Sequence, residues 1–128
     1  MKDPATERLE NQLSRISSQA FNQLGEINGL DIRVAKRIAL VILEFSCLAQ
    51  NHGSIVAGRR AFKQMPQQWV IENLPGLVEE VINLSDEYEY RRLLDVLHEA
   101  GSPLLQEYRE LGLASANEEL REAATEFL

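Results

Sequence analysis

The segment from Asp31 to Asn51 constrains the fold of this chain more than any other feature of the sequence. Between residues 38 and 49 only Glu44 and Ser46 are polar. On a helix that advances about 100° per residue, the apolar side chains of this segment cover most of the circumference. The polar side chains gather in one narrow stripe, formed by Arg33, Arg37, Glu44 and Asn51. A helix that is apolar nearly all round packs inside a bundle, so the sequence predicts a buried central helix over about residues 31–51.

An amphipathic helix is predicted before this segment, over residues 5–27. Asp3 is a typical N-cap residue, and Pro4 suits the first helical position. Apolar residues then recur at spacings of three and four as far as Ile27. This apolar seam has two candidate partners, namely the central helix or a second copy of the chain in a homodimer. Packing within the chain is favoured, because the seam is short for a coiled coil and contains the small Ala20.

Turn and capping signals divide the rest of the chain into short helical segments. Gly and Asn residues between 25 and 29 predict a turn, and Pro75 with Gly76 predicts a break between two helices. Leu111 is expected to face inward on a later helix. No stretch alternates apolar and polar residues long enough to form a convincing strand. The sequence therefore predicts one all-α domain over residues 1–128, a compact bundle or short antiparallel stack of about seven to eight helices.

The charge of the chain is unevenly distributed along the sequence. The net charge is −7, but residues 1–71 carry nine basic and six acidic groups, whereas residues 72–128 carry four basic and fourteen acidic groups. Such asymmetry bears on the choice of partner rather than on the fold. We expect a cytoplasmic protein that does not cross a membrane, because its longest apolar stretch is shorter than the roughly 20 residues of a spanning helix. The single cysteine, Cys47, is expected to be a small core side chain.

The C-terminal segment, residues 115–127, has a recognisable pattern. Its residues 117–124 read Asn-Glu-Glu-Leu-Arg-Glu-Ala-Ala, and the Glu-Leu-Arg part aligns with Glu89-Tyr90-Arg91 at an offset of 30 residues. This string resembles the opening of the second helix in HEAT-type helical repeats. The resemblance implies a small antiparallel helical stack with a protein-binding surface, and it assigns no functional residue.

Catalytic, metal-binding and cofactor-binding residues are not predicted. The chain has two histidines, His52 and His98, and one cysteine, whereas a structural zinc site needs about four ligands in close pairs. A di-iron bundle requires Glu-x-x-His on two helices, and only Asp95 with His98 comes near that spacing. Cys47 has no electropositive surroundings in the sequence that would lower its pKa. We therefore expect no metal and no cofactor.

Glu44 is the polar residue whose predicted position needs an explanation. An unpaired carboxylate inside a bundle costs several kcal/mol, so Glu44 must reach solvent, become protonated or meet a cation. Arg37 lies on the same stripe about two turns away, and Arg59 or Arg60 could approach from the next helix. A structural ion pair and a functional pocket are the two interpretations.

The sequence predicts a non-enzymatic helical module for protein–protein interaction, acting as an adaptor or a regulator. The candidate partner-binding residues are the aromatics Trp69, Tyr88 and Tyr90 and the basic residues Arg59, Arg60 and Lys63. Three alternatives stay open. The acidic half could inhibit a nucleic-acid enzyme, as immunity proteins do; the basic segment 33–63 could bind nucleic acid; or Glu44 with a histidine could serve a small α-helical enzyme.

Overall fold

The computed structural model describes residues 2–128, and over this range the chain is all-helical without a strand. The α-helices of this part of the chain are α1 (Pro4–Ile16), α2 (Ile32–Cys47), α3 (His52–Gln64), α4 (Gln67–Val81), α5 (Glu87–Glu99), α6 (Leu104–Leu113) and α7 (Glu118–Thr125). Two 3-10 helices, Ala20–Asn22 and Leu24–Gly29, connect α1 to α2. The predicted all-α class and the helix number are confirmed.

Most helices begin at a side chain that accepts a hydrogen bond from a backbone N–H of the first turn. The residues that cap helices in this way are Asp3, Asp31, Asn51, Asp86 and Asn117. Each such cap typically stabilises its helix by about 1 kcal/mol. Helices α4 and α6 begin directly after a proline instead. Residues within one turn of each start therefore determine where the helices begin.

The α1 helix is shorter than the predicted segment 5–27. It ends at Ile16 because the backbone of Ser17 is extended, with φ −150° and ψ 127°. Serine is unfavourable inside helices, since its hydroxyl can bond to nearby backbone groups in non-helical conformations. The apolar residues beyond this break, Ala20, Leu24 and Ile27, are nevertheless buried by the two 3-10 helices. The prediction of one continuous helix is wrong, whereas packing of the seam within the chain is found. Leu9, Leu13 and Leu24 of this seam are covered within the chain, and a homodimer through residues 5–27 stays a prediction.

The α2 helix has the central position among its neighbours. It contacts α1, α3, α4 and α5. Ile38, Ile42 and Leu43 are completely buried in these contacts. It ends at Cys47 rather than near residue 51, because Asn51 caps α3. One face of α2 stays open to solvent, so this helix is less enclosed than its sequence predicts.

The closest approach between α2 and α3 occurs at Gly58. A Cβ atom at this position would lie 2.6 Å from the backbone nitrogen of Ser46 and 2.7 Å from its Oγ. The Ser46 hydroxyl is buried and donates a hydrogen bond to the carbonyl oxygen of Ile42, at 2.8 Å. Gly58 in α3 has no side chain, and Ser46 in α2 is small with its hydroxyl bonded within its own helix. The two helix backbones can therefore come into van der Waals contact.

The α4 helix runs continuously through Pro75 and Gly76. The sequence predicts a break here, which the structure contradicts. Proline removes one backbone donor from a helix interior, but Leu74, Leu77 and Val78 around it are buried. Burial of this apolar face on both sides of the proline stabilises the helix across it.

The C-terminal half consists of α5, α6 and α7, which contact one another. Tyr90 on α5 is 1% exposed, and its hydroxyl donates a hydrogen bond to the carbonyl oxygen of Tyr108 on α6. Gly112 provides the space for this ring, since a Cβ at Gly112 would lie 2.0 Å from the Tyr90 hydroxyl oxygen. This hydrogen bond and this glycine fix the position of α6 against α5.

One continuous hydrophobic core receives side chains from all these helices. The acidic half is therefore packed on the same core as the basic-leaning half. Among residues 2–128, no helix has both the length and the apolarity that a membrane crossing requires.

Candidate functional site

Two of the three candidate partner-binding aromatics belong to the core. Trp69 is 7% exposed and Tyr90 is 1% exposed, whereas Tyr88 is 67% exposed. The expectation of an exposed aromatic cluster is wrong for Trp69 and Tyr90, because both lie on the inner faces of their helices. Tyr88 alone of the three can contact a partner.

The basic residues of α3 are largely neutralised within the molecule. The guanidinium of Arg59 lies 3.1 Å from a carboxylate oxygen of Asp95. Lys63 and Arg59 lie 3.8 Å and 3.9 Å from Glu99. Burial raises the pKa of Asp95, an effect that Arg59 opposes. Arg60 is exposed and remains on the surface. The internal pairing reduces the basic surface that the segment 33–63 could offer to nucleic acid.

Glu44 and Arg37 are both exposed on the open face of α2. The expectation that Glu44 is a buried polar group is therefore wrong. Its carboxylate reaches solvent, which was one of the outcomes expected for this residue. Glu44 also lines a surface pocket of about 310 Å³ with Gln12 and Ser54, so the functional-pocket interpretation stays a prediction.

The remaining candidate chemical groups have structural positions. Cys47 is completely buried, and burial raises the pKa of its thiol to about 12, so the nucleophilic thiolate is absent near neutral pH. His98 is exposed and meets the ring of Phe127 edge-on, with 5.5 Å between ring centroids. His52 is exposed at the first position of α3. In the part of the chain that the structure describes, no three His, Cys, Asp or Glu side chains converge as a metal site.

A groove of about 440 Å³ lies between α4 and α6. Its apolar lining consists of Pro75, Val78, Leu84, Tyr108, Leu111 and Ala114. Leu111 is 56% exposed although it lies beside these apolar neighbours. The volume falls within the range of about 300–1,000 Å³ that is typical of ligand sites. We call this feature the α4–α6 groove.

The charged side chains that line the α4–α6 groove are all carboxylates. Glu79 extends from α4, and Glu107 and Glu110 extend from α6. Burial raises the pKa of the Tyr108 phenol to about 12, and the charges of Glu107 and Glu79 contribute to this shift. Val78 and Glu79 of the lining belong to the last turn of α4, where the helix dipole places partial negative charge. The α4–α6 groove thus combines an apolar floor with a negative electrostatic potential.

The sequence gives little indication of this groove. Leu111 is predicted to face inward, but the structure exposes more than half of it. The apolar face of α6 is wider than the surface that α5 and α7 cover. The available sequence signal is Leu111 itself, which lies one residue after Glu110 and four residues after Glu107. Because Glu107 and Leu111 are four residues apart, they lie on one face of the helix.

Known proteins give no guide to the use of the α4–α6 groove. No protein-family model matches the chain, and no match is found among curated proteins or solved structures. The resemblance of residues 115–127 to HEAT-type repeats accordingly stays a prediction. A function must be inferred from the surface of the molecule.

Proposed function

We propose that this protein is a non-enzymatic module for protein–protein interaction and that its partner docks in the α4–α6 groove. One observation carries the proposal: Leu111 is 56% exposed on the floor of a groove with three carboxylates. Exposed apolar surface inside a polar rim is typical of binding sites. Cytoplasmic action as an adaptor or a regulator is part of the same proposal.

The apolar floor supplies the main source of affinity. Complete burial of a leucine side chain stabilises a complex by about 1.5–3 kcal/mol. Since Leu111 is slightly more than half exposed, its burial by a partner contributes about 1 kcal/mol on that scale. The half-buried Pro75 and Leu84 extend the same surface, and the buried Val78 and Tyr108 lie beneath it. Interfaces commonly depend on a few such central contacts, while the surrounding carboxylates favour partners with a basic surface.

Two leucines on α6 provide a matched test of this site. Leu111 lines the groove, whereas Leu113 is 36% exposed and lies outside the groove lining. Leu111→Glu and Leu113→Glu introduce the same charge on the same helix. The 128-residue variants and the unmodified chain are used to capture partners from a lysate of the native host, with quantitative mass spectrometry. Thermal unfolding verifies that each variant is folded.

The expected result is a captured protein that Leu111→Glu loses and Leu113→Glu retains. Equal retention by both variants refutes docking in the groove. Equal loss by two folded variants also refutes it, because the effect then follows the added charge and not the position. Capture of no protein by the unmodified chain counts against the proposed interaction module itself.

The acidic surface also supports a second candidate function, the inhibition of a nucleic-acid enzyme. The specific observation is the cluster of Glu79, Glu107 and Glu110 around an accessible groove, which is complementary to a basic active site. The test is whether the captured partner is a nuclease or a polymerase whose activity falls when the protein is added. Binding that is insensitive to salt contradicts this candidate, since a charge-dominated interface weakens with ionic strength.

A further inference from the structure

Resting on the proposed function, we infer that the occupant of the α4–α6 groove is a basic amphipathic helix from a partner protein. Its apolar stripe packs on Leu111 and on the half-buried Pro75 and Leu84. Lysine or arginine residues on both sides of that stripe face Glu79 and the α6 carboxylates. The inference adds the chemistry and the conformation of the partner to the site.

Charge complementarity indicates the sign of the partner. Both sides of the groove are acidic, with Glu79 on α4 and the pair Glu107 and Glu110 on α6. The last turn of α4, which carries Glu79, adds partial negative charge on that side of the groove. The raised pKa of Tyr108, to which Glu107 and Glu79 contribute, is consistent with this potential. A partner with basic residues on both sides of its contact face relieves the mutual repulsion of these carboxylates.

The walls of the groove favour a helix over an extended segment. An extended peptide gains affinity chiefly by adding a strand to a sheet edge, and residues 2–128 contain no strand. The lining of the groove comes mainly from two helices, α4 and α6, against which a third helix can pack. Since α6 has ten residues, it is about 15 Å long. A partner helix of similar length places apolar residues at positions i, i+3, i+4 and i+7 along the floor.

Selection from a displayed library of helical peptides tests the inference without a known partner. The library randomises surface positions of a helical scaffold among apolar, basic, acidic and neutral residues. The unmodified 128-residue chain is the target, and the Leu111→Glu variant is the counter-target. Affinities of the selected peptides are then measured by fluorescence anisotropy, at low and at high salt, for the unmodified protein and two charge variants. A second library of disordered linear peptides is selected in parallel.

Two adjacent glutamates on α4 provide the matched charge variants. Glu79 lines the groove, whereas Glu80 is exposed and lies outside the lining. We expect Glu79→Lys combined with Glu107→Lys to weaken the selected peptides about tenfold or more. We expect Glu80→Lys to change their affinity by less than about twofold, because its charge is more distant and screened by solvent.

The supporting result is enrichment of basic peptides whose apolar residues recur at helical spacing. Their binding is lost with the groove variants and weakened by salt. Enrichment of extended, acidic or neutral sequences that still require Leu111 overturns the inference but leaves the proposed docking site intact. Binding that is equal for the unmodified protein and for Leu111→Glu overturns both. Another outcome is that the selected peptides resemble the exposed side of α2, which carries Arg33, Lys36 and Arg37, and that the protein self-associates in sedimentation. The occupant is then a second copy of this chain, which also overturns the inference.

Discussion

Replacement of Gly58 by alanine tests how closely α2 and α3 pack. The new Cβ would lie 2.6 Å from the Ser46 nitrogen, 2.7 Å from its Oγ and 2.9 Å from the carbonyl carbon of Phe45. All three distances are shorter, by about 0.6–0.9 Å, than the roughly 3.5 Å at which non-bonded heavy atoms pack without repulsion. Two of the three belong to the backbone of α2, so no side-chain rotation relieves the contact. The helices must move apart.

Two opposing effects determine the size of the change. Alanine stabilises a helix interior by about 1 kcal/mol relative to glycine. Overpacking of a buried contact typically costs about 1–3 kcal/mol, and movement of α3 also loosens its other contacts with α2. We therefore expect Gly58→Ala to lower the free energy of unfolding by about 1–2 kcal/mol. For a chain of this size, that corresponds to a fall in Tm of about 3–8 °C.

Gly76→Ala is the matched control for helix propensity. Gly76 also lies inside a helix, but a Cβ there would have no atom within 4 Å. We expect this variant to be more stable than the unmodified protein by about 0.5–1 kcal/mol. Urea unfolding followed by circular dichroism gives both free energies, provided that the dependence on urea is unchanged. Gly58→Ala that is as stable as Gly76→Ala refutes the close packing of α2 and α3.

Three further predictions concern buried groups. Gly112→Ala should lower the free energy of unfolding by about 2 kcal/mol or more, because its Cβ would lie 2.0 Å from the Tyr90 hydroxyl oxygen and 2.6 Å from the ring carbon Cζ. Tyr90→Phe combined with Gly112→Ala should recover only part of the loss in thermal unfolding, and full recovery would show that the ring itself is not in the way. Cys47, completely buried with its pKa raised to about 12, should react with a thiol reagent at pH 8 only after unfolding; rapid reaction of the native protein contradicts this burial. Tyr108 has its pKa raised from 10.0 to about 12, so the unfolded chain loses this proton first and the stabilising contribution declines as pH rises from about 10 towards 12. Urea unfolding should show a shallower decline for Tyr108→Phe in that range, and an unchanged decline contradicts the assigned cause.

Much of the secondary structure could be predicted from short stretches of sequence. Asp3 with Pro4 and the cap Asp31 mark helix starts that the structure contains. A cap residue bonds to backbone groups only two or three residues further on, so a short stretch of sequence contains all the residues that form it. Two predictions failed where distant contacts compete with the local signal. Ser17 ends α1 early, and packing on both sides of Pro75 keeps α4 intact.

The candidate site was harder to predict, because exposure depends on which neighbours cover a helix face. Trp69 and Tyr90 are apolar enough to bind a partner, but other helices already cover them. Glu44 lies in an apolar stretch, yet its side of α2 has no covering helix. Leu111 has the spacing of a core residue and is 56% exposed because no helix covers its side of α6.

The sequence by itself determined the helical class, most helix starts and the acidic character of the second half, because these depend on residue type and on neighbours within one or two turns. The tertiary structure alone decided that Glu79 meets Glu107 and Glu110 around an apolar floor. These residues are about 30 positions apart in the sequence, and their encounter depends on how α4, α5 and α6 pack. Periodicity specifies the faces of a helix, but only packing specifies which face remains uncovered.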